Sequence, residues 1–455
     1  MLAHVRRRAS LLLPITREAP ADAHAASHKL LARSGFMHQV AAGLYALLPT
    51  GTRTVERMTA LVAQRMEQDV GAQRMHLPVL TPSALWERSG RWDGIGDELF
   101  KVRDRRGADF CLGPTYEEGM TSIVADVVRA SSASLALPIR AFQVTSKFRD
   151  EVRPRFGLMR GREFVMKDLY TYDASVDAAL QTYELVRESY VRLLDDVALP
   201  SVFVRADSGV MGGKHSHEVH VAADVGEDEL FVCASGCGYG QNAEVDPDAV
   251  REARPCPECG GAGPMAVRRG IEVGHLFLLD DRYKRAFNMP EPVHMGCFGI
   301  GVTRILAAVV EHRAALMADA AAAGSLPRGT PEMVWPWAVA PYRVTILVAV
   351  EVKKHKDELV RQAEELYHVL ERSLPGDVVL DDDARTSIGS KFKDADLVGY
   401  PVVIVLGKQW LRDGSVEVQL RHAGRIDDSA VERHSVPAAD VGALIGRAFH
   451  HRKSS

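Results

Sequence analysis

The sequence predicts an α+β protein: an antiparallel sheet flanked by helices, followed by a separate, smaller α/β domain. Three observations carry this. Over residues 110–164 short extended segments alternate with polar loops. Ala179, Tyr183, Val186, Tyr190, Leu193 and Val197 then recur on one face of a helix. Beyond an alanine-rich stretch at 314–324 and the proline-dense segment 327–341, strands begin to alternate with a helix.

Taken in order, residues 21–72 show helical patterning interrupted by Leu48-Pro49-Thr50-Gly51, and 52–66 reads as a long amphipathic helix. The apolar run 75–80 is strand-like but contains Pro78, which places it at an edge or a bend. In the C-terminal part the pattern predicts a strand at 344–350, a helix at 356–370, and strands at 378–380, 402–406 and 416–420. Leu359, Ala363, Leu366 and Leu370 share one face of that helix. No internal repeat suggests a solenoid.

A chain of 455 residues is too long for one ordinary core, and its 46% apolar and 25% charged residues are those of a globular protein. Net charge is −4, which neither favours nor excludes nucleic acid, because local basic surfaces neutralise phosphates. No apolar run is long enough for a transmembrane helix, so no membrane partner is expected. Residues 1–17 hold Arg6, Arg7 and Arg8, no acid, and a short apolar stretch, the pattern of a small mitochondrial presequence and equally of a basic lead into a first helix.

Six cysteines occur, four of them in two close pairs, Cys233 with Cys237 and Cys256 with Cys259, beside Gly236, Gly238 and Gly260. Two such pairs suit tetrahedral structural Zn2+ over 231–262, since glycines let the backbone turn around a metal. The three-residue spacing of the first pair also fits a metal-free hairpin with reduced thiols. Cys111 and Cys297 stand alone and read as packing residues.

The densest chemical signal runs from Phe148 to Phe164, where Arg149, Arg153, Arg155, Arg160 and Arg162 are spaced by Pro154, Gly157 and Gly161. Guanidinium forks bind phosphate oxygens bidentately and stay charged, so this loop points to a polyanion. The segment, FRDE…RPRFG…REF, resembles motif 2 of class II aminoacyl-tRNA synthetases; Gly296 to Arg304, GCFGIGVTR, resembles motif 3. Leu77-Pro78-Val79-Leu80 with Leu85 to Gly90 resembles motif 1. Within the class, Cys111 to Glu118 resembles the T-x-E loop of prolyl-tRNA synthetases. Gly270 to His275, Ser216-His217-Glu218 and Gly389 to Asp396 agree with that family's bacterial and mitochondrial branch.

The resemblance implies a class II catalytic domain over 18–325, with motif 1 near 72–92, motif 2 near 142–168 and motif 3 near 294–312. A linker at 326–341 and an anticodon-binding domain at 342–455 would follow, in a homodimer that is mitochondrial or, alternatively, from the bacterial cytoplasm. It implies activation of L-proline by ATP and transfer to tRNA(Pro). The substrate carboxylate is already ionised near neutral pH, so catalysis needs positioning and charge stabilisation rather than a general base. Arg149 would hold the α-phosphate and the substrate carboxylate, Arg304 the β and γ phosphates, Phe164 the adenine ring and Glu151 its amino group. Mg2+ would bridge the phosphates. Thr115 and Glu117 would accept from the proline ammonium, and His275 would close the ring side, although each residue type also serves as a structural hydrogen-bonding group. Arg153, Arg155 and Arg160 would meet the tRNA acceptor end. Lys391 and Lys393 would read the anticodon, unless they are ordinary solvated lysines. The chain passes from Cys259 almost directly to Ile271, which leaves no room for the editing domain that many bacterial members insert there.

Overall fold

The structure is a computed structural model that describes residues 5–130, 137–213, 215–248, 254–261, 265–289, 292–349, 353–427 and 429–450. Val350, the last residue of the strand expected at 344–350, lies outside these, as do 249–253 and 262 within the expected knuckle.

Two compact units are present, and they do not follow the boundary expected at 326–341. One comprises Gln39–Tyr45 and Thr59–Ala308, the other the described parts of Met1–His38, Ala46–Met58 and Val309–Ser455. The expected 18–325 domain therefore gives up its first segments to the C-terminal unit. The reason is local bonding: Ser27 donates its backbone N–H to Glu311 at 2.7 Å, and Arg53 Nε donates to the carbonyl of Pro341 at 2.7 Å.

The larger unit is built on a sheet whose described strands run in the order His215–Ala222, Val202–Arg205, Gly240–Asn242, Asp228–Val232, Ala266–Leu278, His294–Gly301, Glu163–Asp173, Ile139–Phe148 and Gln73–Arg74. Its long central pairings are antiparallel, as expected. Their register decides which chemistry lies side by side. His275 faces Gly299, Phe277 faces Cys297, and Cys297 in turn faces Tyr170. The helix Val176–Asp196 starts where the Ser175 side chain accepts from the N–H of Ala178 at 3.1 Å, and buries the predicted face of Ala179, Tyr183, Val186, Tyr190 and Leu193. The expected helix at 52–66 is the longer Pro49–Gln68. The run 75–80 is not one strand: pairing stops at Arg74 and resumes at Leu80–Pro82, because Pro78 offers no N–H to a ladder.

In the second unit Val378–Asp381, Val344–Val348 and Val402–Leu406 pair in parallel, and Ser415–Arg421 and Val431–Pro437 continue the sheet antiparallel. Leu359, Ala363, Leu366 and Leu370 of the helix Lys356–Ser373 pack onto Val344, Ile346 and Leu380, as their spacing predicts.

The basic N-terminal segment belongs to this unit. Arg7 bridges Leu380 in parallel, and the carbonyl of Arg6 accepts from the Leu380 N–H at 3.0 Å, so the segment extends the sheet edge. Arg7 pairs with Asp382 at 2.9 Å and also with Glu364, Arg8 with Asp394 at 3.8 Å, and Leu13 is 5% exposed among Tyr342, Val379 and Val403. A removable presequence would have to surrender these contacts. Leu13→Ala is expected to lower the unfolding free energy by ~2–4 kcal/mol, the usual result of leaving a core cavity, and to lower the melting temperature by several degrees. An unchanged thermal melt would show that the segment is not docked in solution.

Candidate active site

The strand Ile139–Phe148 runs into the arginine loop, which returns as Glu163–Asp173. The loop is a folded hairpin: Arg155 N–H donates to the carbonyl of Arg160 at 3.1 Å, Arg149 N–H to that of Arg162 at 3.0 Å, and Phe156 adopts φ 60° at the turn. Arg149 lies 5.3 Å over the Phe164 ring. Arg304, at the start of the helix Val302–Ala322, is fixed by three donations: Nε to the Met159 carbonyl at 2.8 Å, Nη1 to the Glu272 carbonyl at 2.7 Å, and Nη1 to Glu272 Oε2 at 3.1 Å.

Arg149, Arg304, Glu151 and Arg160 line one cavity of about 190 Å³, together with Glu98, Glu227, Asp228 and Glu272. Its floor brings Gly226 against Gly270 so closely that a Cβ on Gly226 would meet the Gly270 backbone at 2.4 Å. Burial first, and the charge of Arg304 second, lower the pKa of Arg149. Two guanidinium groups that repel one another across a cavity favour an anion between them.

Carboxylates line the same cavity. Burial works to raise the pKa of Glu272, but the hydrogen bond from His275 at 3.1 Å and the charge of Arg304 outweigh it and hold the carboxyl far below the usual range. Burial pushes Asp228 up to about 6, partly offset by His220. The ligand atoms of Glu218, Glu272 and His275 lie within 4.8 Å of one another. Glu218 and Glu272 sit inside the motifs already singled out, but motif spacing alone assigns neither a role.

Beside this cavity the T-x-E loop opens the helix Glu117–Ala130. The Thr115 hydroxyl is 2.6 and 2.7 Å from the two Glu117 carboxylate oxygens and 3.3 Å from the Tyr170 hydroxyl. The Cys297 thiol donates to Glu117 Oε1 at 3.1 Å, so this residue does more than the packing role expected of it. His275 stacks on Phe277 at 3.8 Å and places its Nε2 2.8 Å from the Ser216 hydroxyl. Contacts thus run from Glu117 through Cys297, Phe277 and His275 to Glu272 and Arg304.

Comparison with known proteins gives this arrangement a family. Residues 100–313 match the tRNA synthetase class II core domain (G, H, P, S and T), and 345–441 match the anticodon binding domain. The chain is 40% identical over 416 residues to the probable mitochondrial proline–tRNA ligase of Homo sapiens, covering 88% of this chain and 82% of that one. The chain belongs to the class II prolyl-tRNA synthetases. It is also 32% identical to the proline–tRNA ligase of Aquifex aeolicus in an alignment of 572 residues, covering 92% of this chain and 96% of the other. Among solved structures, the Giardia lamblia prolyl-tRNA synthetase in complex with prolyl-adenylate has the same fold, with a TM-score of 0.71 at 17% identity, covering 97% of this chain and 81% of that one.

The remaining expected residues divide. Arg153 is exposed beside Val152, whose side chain is 81% exposed. Arg155 and Arg160 are clamped on Glu227, and Arg160 also donates to Glu151 at 2.9 Å. Lys393 is exposed, but Lys391 is not a surface residue as expected of an anticodon contact. Its Nζ donates to the carbonyls of Val348 and Asp381, both at 3.0 Å, inside the C-terminal unit. Apolar neighbours on the helix Ile388–Val398 turn it inward, which a lysine's charge alone conceals.

The four cysteines of the expected knuckle do converge. Cys233 Sγ is 3.6 Å from Cys259 Sγ, Cys237 Sγ is 3.6 Å from Cys256 Sγ, and all four lie within 4.8 Å of one another.

Arg149→Ala and Arg304→Ala are each expected to lower kcat/KM for ATP–pyrophosphate exchange by ~10²–10³-fold, the usual effect of deleting a preorganised group that faces developing charge. Circular dichroism of Arg149→Ala should match the parent. Exchange at the parental rate would remove the substituted arginine from the site.

Proposed function

We propose that this synthetase activates L-proline with ATP and transfers it to the 3′ end of tRNA(Pro). The observation that carries the reading is the chain of contacts joining Glu117 to Arg304, which sets an acceptor pair for an ammonium beside the cavity where Arg149 and Arg304 would meet a triphosphate. In the first step a proline carboxylate oxygen bonds to the α-phosphorus, the bridging bond to the β-phosphate breaks, and pyrophosphate leaves. Arg149 orients the attacking carboxylate against the α-phosphate, and Arg304 draws charge toward the departing phosphates. Glu151 and the Phe164 ring hold the adenine. Thr115 and Glu117 take the two N–H groups of the proline ammonium, with His275 and Phe277 bounding the ring. In the second step a ribose hydroxyl of the terminal adenosine bonds to the prolyl carbonyl carbon and AMP leaves.

Carboxylate oxygens suit Mg2+, and Glu272 and Asp228, which line the phosphate cavity, would hold it. Bound there, the ion would neutralise phosphate charge. Arg153 has the exposure to meet the acceptor-end phosphates, whereas Arg155 and Arg160 would first have to leave Glu227. Lys393 is the remaining anticodon candidate. The motif 1 resemblance supports a homodimer, and the mitochondrial relative at 40% identity supports the mitochondrial matrix; the bacterial relative keeps a bacterial cytoplasm as the alternative.

Amino-acid-dependent ATP–pyrophosphate exchange tests the assignment. Proline should support exchange well above every other amino acid, and folded protein with magnesium that gives none would sink it. Editing in cis is not part of this reading. The alignment with the Aquifex aeolicus enzyme spans more than a hundred positions beyond this chain's own length, and only the six residues 260–265 separate Cys259 from the strand Ala266–Leu278. The same preparation should leave Ala-tRNA(Pro) at its spontaneous rate of deacylation.

The cysteine cluster fits structural zinc. Four sulfurs ~2.3 Å from a common ion lie ~3.8 Å apart in a tetrahedron, close to the spacing of the two sulfur pairs. Elemental analysis of protein purified without chelator should give about one zinc per chain, with loss of metal and a lower melting temperature in Cys237→Ser and Cys259→Ser. Protein without metal and with all four thiols titratable would favour the reduced hairpin.

A further inference from the structure

We infer that Arg91 is a positioning residue for proline recognition, holding the Glu117 carboxylate in place to receive the substrate's ammonium. The inference rests on the reading of Glu117 as a proline ligand.

Arg91 follows Gly90 directly, at the end of the segment that resembles motif 1, and is 3% exposed despite its charge. Its Nη1 lies 3.1 Å from Glu117 Oε2 and 3.1 and 3.3 Å from the two Glu118 oxygens. The rings of Trp86 and Tyr283 pack 5.0 and 5.8 Å from its guanidinium. One guanidinium therefore serves two carboxylates in a site closed to water, at the N-terminus of a helix that itself favours negative charge. The substrate ammonium is the charge that would complete the balance.

The two carboxylates are not equivalent. Burial raises both, but Glu117 also receives Arg91, the Thr115 hydroxyl and the Cys297 thiol, which together hold it below the ordinary value. Glu118 receives the Ser89 hydroxyl at 2.7 Å and remains raised, because the charge of Glu117 adds to its burial. The proton goes to Glu118 first, and Glu117 stays a carboxylate. The other titratable groups facing Glu117 are Tyr170, Tyr172, Tyr283 and Cys297, each pushed up by burial and neutral near pH 7. Arg91 thus supplies the positive charge in this group without lining the substrate cavity itself.

Exchange kinetics on the full-length enzyme, reading KM for proline and for ATP separately across about pH 6 to 8.5, test this. Arg91→Met should raise the proline KM ~10-fold or more and leave the ATP KM within about twofold. Its proline KM should fall as pH rises, because without the cation Glu117 titrates higher and is protonated at the acid end; the parent should be flat. Adding Glu118→Gln to Arg91→Met removes one buried carboxyl with the lost cation and should recover part of the proline KM. Arg91→Lys, which keeps the charge and changes its geometry, should give a smaller rise with no pH dependence. It carries the test if Arg91→Met does not fold. Proline and ATP KM rising together, or a proline KM of Arg91→Met that does not move with pH, would overturn the assignment. Glu117→Gln separates the two readings: an unchanged proline KM there would remove Glu117 from the substrate site, whereas a raised one beside an unaffected Arg91→Met would refute the role of Arg91 alone.

Discussion

The catalytic unit depends on the attachment of Arg304 to Glu272 and to the carbonyls of Glu272 and Met159. Through these donors one guanidinium joins the end of the arginine loop, the strand Ala266–Leu278 and the start of the helix Val302–Ala322, three segments far apart in sequence. The same contact fixes Glu272, which in turn orients His275 through its Nδ1 at 3.1 Å and leaves Nε2 for Ser216. The histidine is therefore held at both ring nitrogens, and Phe277, stacked beneath it, is held with it.

Two clusters of buried charge lie in the same unit. In the cavity the buried Arg149 faces the charge of Arg304 among the carboxylates of Glu98, Glu151 and Glu272; the pocket around Glu117 and Glu118 sets two carboxylates against a single arginine. The proposed substrate would reach both, since an amino acid carries its carboxylate and ammonium only a few bond lengths apart. Exposed ion pairs contribute ~1 kcal/mol or less, whereas removing one partner from a buried pair costs ~3–5 kcal/mol. The discriminating electrostatics therefore lie in these enclosed groups rather than in the exposed arginines of the loop tip.

What could be read from the sequence tracks this distinction. Arg149, Glu151 and Arg304 were singled out by the resemblance of their segments to motifs 2 and 3, and the structure places them around one cavity. The cysteine pairs were legible from spacing and converge. Arg91 was not, because a single arginine after a glycine looks like a surface residue; its burial comes from Trp86, Glu117 and Tyr283, and sequence distance hides all three. Lys391 erred in the other direction: a lysine in a polar motif suggested solvent, but its helix turns it onto the carbonyls of Val348 and Asp381. The N-terminal arginines drew notice by composition alone, whereas their partners Glu364, Asp382 and Asp394 lie more than three hundred residues away.

Fold elements show the same limit. Local pattern located the helix Val176–Asp196 and the five-residue strand Val402–Leu406, where one face is apolar or all but Val405 of the strand is buried. It could not show that Arg7 would bridge the edge of the C-terminal sheet or that Leu13 would pack into its core, because both take their partners from segments that the local pattern does not contain. The compact units therefore cut across the boundary drawn at the proline-rich segment. Composition marks where the chain is irregular, whereas a unit is defined by which segments share a core, and here the first segment of the chain shares one with residues beyond 340.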